Sequence, residues 1–395
     1  MSHATLIAAL ILTSLSTSGE APAPKELYRQ HRWFDLQEAI KGSEAPPLYR
    51  GALASAFNDV TGAEKFLNQT IKLAPDSSDA EAAHEALANL YVRAGRYKQA
   101  VRQLDEALRI KPGNPDAENA RVLFAAWSKH PDQSVGTVRS GQIHADIRNE
   151  TVLLPLSIRG KTIQWFLDTG ANFSMMSESE AGSLAVAIAD SASKVADSVG
   201  GTTSMRTAVV DELSIGKVHL RNVAFLILPD SQEPMSDLQP GRRGLIGLPV
   251  AIALRSIGWN SNGTFTIGSA SGRPKKGRKN LCFDDLTPVT RVEFDDKELD
   301  FSLDSGDQSG SQLWSRFASE FAPLLNQLGK KGTEKVTMVG GSNERETIIL
   351  PELQLRVGGL KTTLRPARVS PYLSATIIIT DYLGWICLVK PVKCG

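Results

Sequence analysis

The spacing of apolar residues changes near residue 131, from a helical period to the alternating pattern of β-strands. Between residues 24 and 131, apolar and small residues recur every three or four positions, as in amphipathic helices. After Pro131, short alternating runs are separated by glycine and asparagine, as in VLLPLSIRGKTIQWFLDTG at 152–170. The pattern therefore predicts a helical domain followed by a β-rich region built of hairpins.

Residues 81–114 carry the spacing of a tetratricopeptide helix pair. The matching positions are Leu87, Tyr91, Gly95, Tyr97, Ala100, Leu104, Ala107, Leu108 and Pro112. His84 and Ala88 replace the usual tryptophan and glycine. A weaker copy at 53–75 has Ala63, Leu67, Ile71 and Pro75 at matching positions. We expect two further helices, at 25–42 and 115–129, to cover the ends of this domain.

The β-rich region contains an internal repeat. LSIRGKTIQWFLDTG at 156–170 aligns with VEFDDKELDFSLDSG at 292–306, so that Asp168 meets Asp304, 136 positions later. Further landmarks recur in the same order: VGG at 199–201 and 339–341, DELSIG at 211–216 with PELQLRVGG at 351–359, and LIG at 245–247 with YLG at 382–384. This ordered set predicts two related lobes, with the aligned Trp165 and Phe301 in their cores.

The two Asp-Thr/Ser-Gly loops predict a pair of carboxyl groups that works as a unit, although a lone Asp-Thr-Gly is most often a turn. Two carboxyls a few ångströms apart cannot both ionise cheaply, so they share one proton. The ionised carboxylate acts as general base on a water. The protonated one polarises a carbonyl and later donates to the leaving amine. Asp168 and Asp304 are therefore the candidate catalytic residues.

The residues beside each aspartate fit this chemistry. Thr169 and Ser305 supply hydroxyls that we expect to form hydrogen bonds across the pair and to lock the loops. Gly170 and Gly306 let the backbone approach closely and donate an N–H to a carboxylate. In the second loop Asp307 follows directly, and it would place a third negative charge beside the pair.

The β region resembles the retropepsin-like aspartic proteases, in the two-lobed single-chain form found in exported bacterial proteins. The matching pieces, within about residues 140–395, are FLDTGA at 166–171, DSVGGTT at 197–203, RRGLIGLPVAIAL at 242–254 and GTFTIG at 263–268. The resemblance implies one catalytic aspartate and one flap hairpin per lobe, and neither a metal nor an organic cofactor. The implied flap tips are Gly200, Gly201, Gly340 and Gly341, which would close over an extended peptide substrate.

The predicted fold class is multidomain: a helical tetratricopeptide-like domain, then a pseudo-symmetric two-lobed β-barrel acid-protease fold. The predicted boundaries are a signal peptide at 1–23, the helical domain at 24–131, the first lobe at 140–270 and the second lobe at 283–395. The apolar run at 5–15, followed by small residues, is typical of a secretory signal and shorter than the ~20 residues of a membrane span. We therefore expect a protein without a stable membrane span that is exported to the periplasm or secreted.

Charge and the content of cysteine and histidine limit which partners and metal sites the sequence predicts. The net charge of +1 argues against nucleic acid as a partner, and the basic run at 272–280 is interpreted as a solvated linker. Cys282, Cys387 and Cys394 form no metal-ligand spacing, and both one disulfide and a fully reduced chain are compatible with them. The six histidines include no i, i+4 pair, so no metal site is predicted.

The main hypothesis is an exported aspartic endopeptidase whose Asp168 and Asp304 activate water for peptide hydrolysis, while the helical domain recruits a protein substrate or partner. One alternative is a protease active only as a homodimer through Asp168 and its copy. The other is a protein-binding module with an inactive relict protease fold. The main hypothesis is favoured because both aspartates and both flanking hydroxyls are present.

Overall fold

The computed structural model describes residues 22–137, 140–148, 151–196, 202–268, 279–306, 312–313, 315–338, 341–370 and 381–384. The predicted signal peptide lies almost entirely outside the described residues. Gly200, Gly201, Gly340, Asp307, Cys387, Cys394 and most of the basic run at 272–280 also lie outside them. Within the described part, no helix is both long and apolar enough to cross a membrane.

The chain divides into two compact units, Met1–Glu44 and Ala45–Gly395. This division falls inside the helical domain predicted for residues 24–131. The helices of the described residues are α1 (Pro24–Arg29), α2 (Trp33–Ala39), α3 (Pro47–Ala56), α4 (Val60–Leu73), α5 (Ser78–Arg93), α6 (Tyr97–Ile110), α7 (Pro115–Trp127), α8 (Glu178–Ser183), α9 (Leu248–Ala253), α10 (Ser315–Glu320) and α11 (Ala322–Leu328), with a 3-10 turn at Met235–Asp237.

The strands of the described residues belong to the second unit. They are β1 (Ser134–Val135), β2 (Gly141–His144), β3 (Asp146–Arg148), β4 (Thr151–Ile158), β5 (Lys161–Leu167), β6 (Ser174–Ser177), β7 (Ile188–Ala196), β8 (Thr202–Ile215), β9 (Val218–Leu228), β10 (Gly244–Ile246), β11 (Ile257–Trp259), β12 (Thr264–Ile267), β13 (Leu281–Asp284), β14 (Thr287–Phe294), β15 (Lys297–Asp304), β16 (Gln312–Leu313), β17 (Lys330–Met338), β18 (Gly341–Leu350), β19 (Leu353–Val357), β20 (Leu360–Leu364), β21 (Ala367–Val369) and β22 (Asp381–Gly384).

The first unit contains two short helices where the sequence predicted one, so the prediction of a single helix over 25–42 was wrong. His31 has a φ of 53°, in the left-handed region, and a right-handed helix cannot continue through it. The turn brings the buried Trp33 ring to 5.1 Å from His31 and 6.2 Å from Tyr28. This aromatic packing accompanies the break between α1 and α2.

Helices α3 to α7 form the repeat domain, a name kept below for residues 47–127. Three of its helices begin at a residue whose side chain caps the helix N-terminus. Asp59 accepts from Gly62 N–H, Ser77 from Ala80 N–H, and Asn114 from Ala117 N–H. Most of the predicted positions of the better repeat are buried, among them Leu87, Tyr91, Tyr97, Ala100 and Leu104. Leu108 is half-buried and Pro112 is exposed. The helix pairs α3–α4 and α5–α6 therefore pack as the sequence predicted.

The first lobe, residues 134–268, contains a nine-stranded sheet and a three-stranded sheet. The larger sheet runs β1-β9-β6-β10-β5-β4-β8-β7, with β3 on β4, and the smaller runs β11-β12-β2. Trp165 is fully buried in the lobe core, as predicted. Since β5 is an inner strand of the larger sheet, it is paired with β4 on one side and β10 on the other up to the end that precedes Asp168.

The second lobe, residues 279–384, repeats the central pairing of the first. Its six-stranded sheet runs β20-β19-β14-β15-β22, with β13 on β14, and a four-stranded sheet runs β16-β21-β18-β17. Leu156 pairs with Ile215 in the first lobe, and the aligned Val292 pairs with Val357 in the second. Phe301 is fully buried, like its counterpart Trp165. The internal repeat found in the sequence is therefore also a structural repeat.

Each lobe has a long antiparallel hairpin in the place predicted for a flap. In the first lobe β7 and β8 end with Ala196 opposite Thr202, and in the second β17 and β18 end with Met338 opposite Gly341. Of the predicted tip glycines, only Gly341 is described, as the first residue of β18. The paired strands of both hairpins are present, and residues 197–201 and 339–340 between them lie outside the described part of the chain.

The close packing of α3 on α4 makes a prediction about Gly51. A Cβ at this position would lie 2.7 Å from the Leu67 side chain and 2.9 Å from the Leu67 backbone nitrogen, so a larger residue forces the helices apart. Gly51→Leu should destabilise the repeat domain by about 1–3 kcal/mol. Thermal unfolding followed by circular dichroism at 222 nm measures the effect. The matched control is Gly182→Leu, at an exposed helical glycine with open space around it. Equal melting temperatures for the two variants would contradict the prediction.

Candidate active site

The two predicted catalytic aspartates occupy equivalent places in the two lobes. Asp168 directly follows β5, and its N–H donates to Ile246 O of the parallel neighbour β10 at 2.9 Å. Asp304 is the last residue of β15 and pairs in register with Gly384 of the parallel neighbour β22. Each aspartate therefore stands at the end of an inner strand, where the sheet fixes its backbone.

Two glycines show that the two carboxyl groups face each other. A Cβ added to Gly170 of the first lobe would lie 2.1 Å from Oδ2 of Asp304. A Cβ added to Gly306 of the second lobe would lie 2.4 Å from Cγ of Asp168. Each loop glycine thus lies against the aspartate of the other lobe, and only glycine leaves room for that approach. The structure brings Asp168 and Asp304 together within one chain.

Backbone N–H groups surround the carboxylates. Oδ1 of Asp168 accepts from Gly170 N–H at 3.0 Å and from Ala171 N–H at 2.9 Å. Oδ1 of Asp304 accepts from Gly306 N–H at 2.6 Å. These donors stabilise a negative charge on the pair and fix the orientation of each carboxyl plane.

The hydroxyls of Thr169 and Ser305 form a reciprocal set of hydrogen bonds between the lobes. Thr169 Oγ1 donates to Leu303 O at 3.0 Å and accepts from Ser305 N–H at 3.1 Å. Ser305 Oγ donates to Leu167 O at 2.8 Å and accepts from Thr169 N–H at 3.1 Å. Each hydroxyl crosses to the backbone of the opposite strand, so the two loops are held in register.

This arrangement can perform general acid–base chemistry on a water. Each carboxyl lies against both loop glycines, which is the placement that a pair sharing one proton requires, with one member as base and the other as acid. Within the described residues, no third His, Cys, Asp or Glu joins them in a group with metal-ligand spacing. The site therefore has the groups for hydrolysis by an activated water.

The sequence did not predict a second layer of contacts behind the Asp168 loop. The Phe173 ring lies 4.9 Å from Trp127 and 5.8 Å from Phe124, both on α7 of the repeat domain. The loop is held from the other side by Leu248 N–H, which donates to Ala171 O at 2.9 Å. The signal for these contacts in the sequence is weak, namely an aromatic residue, Phe173, five positions after Asp168. Local spacing does not predict which residues pack against it.

A cavity of about 610 Å³ lies beside the reciprocal hydroxyls. Thr169, Asp304 and Ser305 line it together with apolar residues of both lobes and with Phe57, at the end of α3. Its lining includes no described residue of the hairpins β7–β8 or β17–β18. The cavity thus reaches Asp304, and the repeat domain forms part of its wall through Phe57.

The reciprocal hydroxyls make a prediction about Thr169. Thr169→Val keeps the shape of the side chain but leaves Leu303 O and Ser305 N–H without their hydrogen-bond partner, at about 1–3 kcal/mol for each unsatisfied group. Thr169→Ser keeps the hydroxyl and serves as the control. Thermal unfolding should show a clear fall in melting temperature for the valine variant alone. The same melting temperature in both variants would show that the hydrogen bonds of the Thr169 hydroxyl contribute nothing to the stability of the lobe interface.

Comparisons with known proteins agree with this geometry. The aspartyl protease family matches residues 154–250, a segment that contains the Asp168 loop and the hairpin β7–β8. The tetratricopeptide repeat matches residues 54–123, within the repeat domain. A search of curated proteins finds no significant match.

Among solved structures, a retropepsin-like aspartic protease from Rickettsia conorii is 14% identical, covers 33% of this chain and 94% of its own, and has a TM-score of 0.26. Basic 7S globulin from soybean is 10% identical, covers 58% of this chain and 81% of its own, and has a TM-score of 0.36. Both TM-scores are below 0.5, so these likenesses are weak. The chain therefore contains a segment that matches the aspartyl protease family, preceded by a segment that matches the tetratricopeptide repeat.

Proposed function

We propose that the protein is an aspartic endopeptidase that hydrolyses peptide bonds with a water activated between Asp168 and Asp304. The observation that carries this proposal is the reciprocal approach of Gly170 to Asp304 and of Gly306 to Asp168. Such an approach requires both loops in one site. It supports a single-chain pair over a pair formed by two copies of the first lobe.

The chain's own groups account for each step. One carboxyl, ionised, removes a proton from the water as it attacks the peptide carbonyl, while the other, protonated, donates to the carbonyl oxygen. The proton taken from the water then passes to the amine as the C–N bond breaks. The hydroxyl formed from the carbonyl oxygen returns its proton to the other carboxylate as the carbonyl re-forms, so the pair ends singly protonated. Because the loops are fixed by the Thr169 and Ser305 hydroxyls, the carboxyls need little rearrangement during the reaction.

We also propose that the repeat domain binds a protein substrate or partner. The match of residues 54–123 to the tetratricopeptide repeat supports this, because stacked helix pairs present extended surfaces suited to binding peptides. Nucleic acid and membrane lipid are not proposed as partners, since the net charge is +1.

We further propose that the protein is exported to the periplasm or secreted. The apolar run at 5–15, followed by small residues, supports this proposal.

Isosteric substitution of either aspartate tests the catalytic proposal. Asp168→Asn and Asp304→Asn each remove one carboxyl, so no shared proton remains, and each should lower kcat at least about 1,000-fold. Cleavage of an unbiased peptide library, followed by mass spectrometry from about pH 3 to 8, provides the measurement. The wild type should show a bell-shaped pH profile, because activity is lost when the pair is doubly protonated or doubly ionised.

The control for these variants is Asp296→Asn, at an exposed turn of the second lobe where φ is 58° and asparagine is well tolerated. Full activity in the Asp304 variant, together with dimers in light scattering, would instead support a homodimer through Asp168. No cleavage by the wild type at any pH would support an inactive protease fold with a binding role.

Export makes a prediction about the mature N-terminus. Expressed in a bacterial host, the protein should be recovered from the periplasm or medium with a first residue near Pro24. Ile11→Arg places a charge in the apolar run and should retain the full-length chain in the cytoplasm. Intact-mass measurement of each fraction gives the result. A wild-type protein that keeps Met1 and stays in the cytoplasm would overturn the export proposal.

A further inference from the structure

The repeat domain contacts the first lobe at the loop that carries Asp168. Trp127 and Phe124 of α7 pack on Phe173, and all three side chains are at most 7% exposed. Tyr97 of α6 lies behind them, with its ring 4.9 Å from Trp127. An aromatic cluster of the repeat domain therefore closes over the end of the catalytic loop.

Only a short loop separates the contact of the aromatic cluster with Phe173 from Asp168. The loop from Asp168 to Phe173 lies between the aromatic cluster and the start of α9. There Leu248 N–H donates to Ala171 O, and a Cβ added to Gly247 would lie 2.4 Å from the Phe173 carbonyl carbon. Ala171 N–H in turn donates to the Asp168 carboxylate at 2.9 Å. A shift of Phe173 therefore moves a donor of the catalytic carboxylate.

The repeat domain also contacts the second lobe, at the turn between β13 and β14. The buried Arg93 donates to the Asp285 backbone carbonyl, and Asn89 donates to the Asp285 side chain at 2.8 Å. Arg93 is fixed from behind, since it donates to Ser55 O at 2.7 Å, and its guanidinium lies 5.1 Å from the Phe283 ring. Burial lowers the pKa of Arg93 to about 10, so the side chain is charged at neutral pH.

The turn at Asp285 is close in the sheet to the second aspartate. Strand β14, which follows the turn, pairs with β15 along its length, with Thr290 opposite Phe301, and β15 ends at Asp304. Phe57 of the repeat domain lines the same cavity as Asp304. The repeat domain thus contacts elements next to both halves of the pair.

We infer that the repeat domain is a structural part of the active site and that Trp127 is a positioning residue for Asp168. This inference rests on the proposed function and goes beyond it, since recruitment of a partner would need no contact with the catalytic loops. The aromatic cluster on Phe173 holds the first loop, and the Arg93–Asp285 contact holds the second lobe against the same helices. Loss of either contact loosens the geometry of the carboxyl pair.

The test compares Trp127→Ala with Trp127→Phe in the full chain. The Trp127 indole N–H has no hydrogen-bond partner among the described residues, so phenylalanine keeps an aromatic ring and removes no hydrogen bond. The matched control is Phe66→Ala, at an aromatic residue of the repeat domain that packs under Arg50, 3.9 Å from its ring centre. Phe173→Leu alters the same contact from the lobe side and keeps a buried apolar side chain.

The first measurement is hydrogen exchange by mass spectrometry of the segment 166–174, which needs no catalytic activity. Exchange in this segment should be at least about tenfold faster in Trp127→Ala and Phe173→Leu than in the wild type, because the loop is no longer held from behind. Trp127→Phe and Phe66→Ala should stay within about twofold of the wild type. Unchanged exchange in both Trp127→Ala and Phe173→Leu would overturn the inference.

The second measurement is hydrolysis of an octapeptide that the wild type cleaves. Trp127→Ala should lower kcat at least about tenfold with KM changed less than about twofold, and should move the acidic limb of the pH profile to higher pH. The reason for the direction is that displaced N–H donors no longer stabilise the ionised carboxylate. Trp127→Phe should recover most of kcat.

The outcomes separate this inference from the proposed function. If Trp127→Ala matches Phe66→Ala in octapeptide kcat and pH profile, the repeat domain has no positioning role, even if cleavage of whole proteins falls. If the wild type cleaves nothing, the proposed function fails. The hydrogen-exchange measurement alone then shows whether the aromatic cluster holds the Asp168 loop. Non-additive effects of Trp127→Ala and Phe173→Leu in the double variant are expected, since both act through one contact.

Discussion

The site depends on the reciprocal hydrogen bonds of Thr169 and Ser305 across the lobe interface. Each bond of this kind contributes about 0.5–1.5 kcal/mol, which is small beside the apolar cores of the two lobes. Their importance is geometric: each hydroxyl binds both an N–H and a carbonyl of the opposite loop, so the lobes fit together in only one register. In that register Gly170 and Gly306 lie against the opposite carboxyls, and any side chain there would displace one half of the pair.

Much of this arrangement could be predicted because the strand with its Asp-Thr/Ser-Gly loop occurs twice in the sequence. A strand that ends in Asp168 and its copy that ends in Asp304 must occupy equivalent places if the two segments form equivalent sheets. The later landmarks confirm the equivalence: Ile246 pairs beside Leu167, as Leu383 pairs beside Leu303. The duplication thus supplied long-range information that a single Asp-Thr-Gly, which is locally a turn, does not contain.

Local sequence patterns did not predict three other features of the structure. The break at His31 has no glycine or proline to mark it, so helical spacing alone predicted a continuous helix. The contact of Trp127 with Phe173 joins residues in different domains, and periodicity shows only that each is apolar. Arg93 lies in a predicted repeat helix, where a charged residue is expected to face water. Its burial depends on the Asp285 carbonyl, which is distant in sequence.

The connection between the repeat domain and the first lobe is held by hydrogen bonds to both parts. Here Gln133 of the connection donates its N–H to Gly95 O at 3.0 Å and its side-chain amide to Pro249 O at 3.2 Å. One residue therefore joins the repeat turn to α9, the helix that holds the Asp168 loop. The repeat turn, α9 and the Asp168 loop are therefore linked by hydrogen bonds, through Gln133 on one side of α9 and Leu248 N–H on the other.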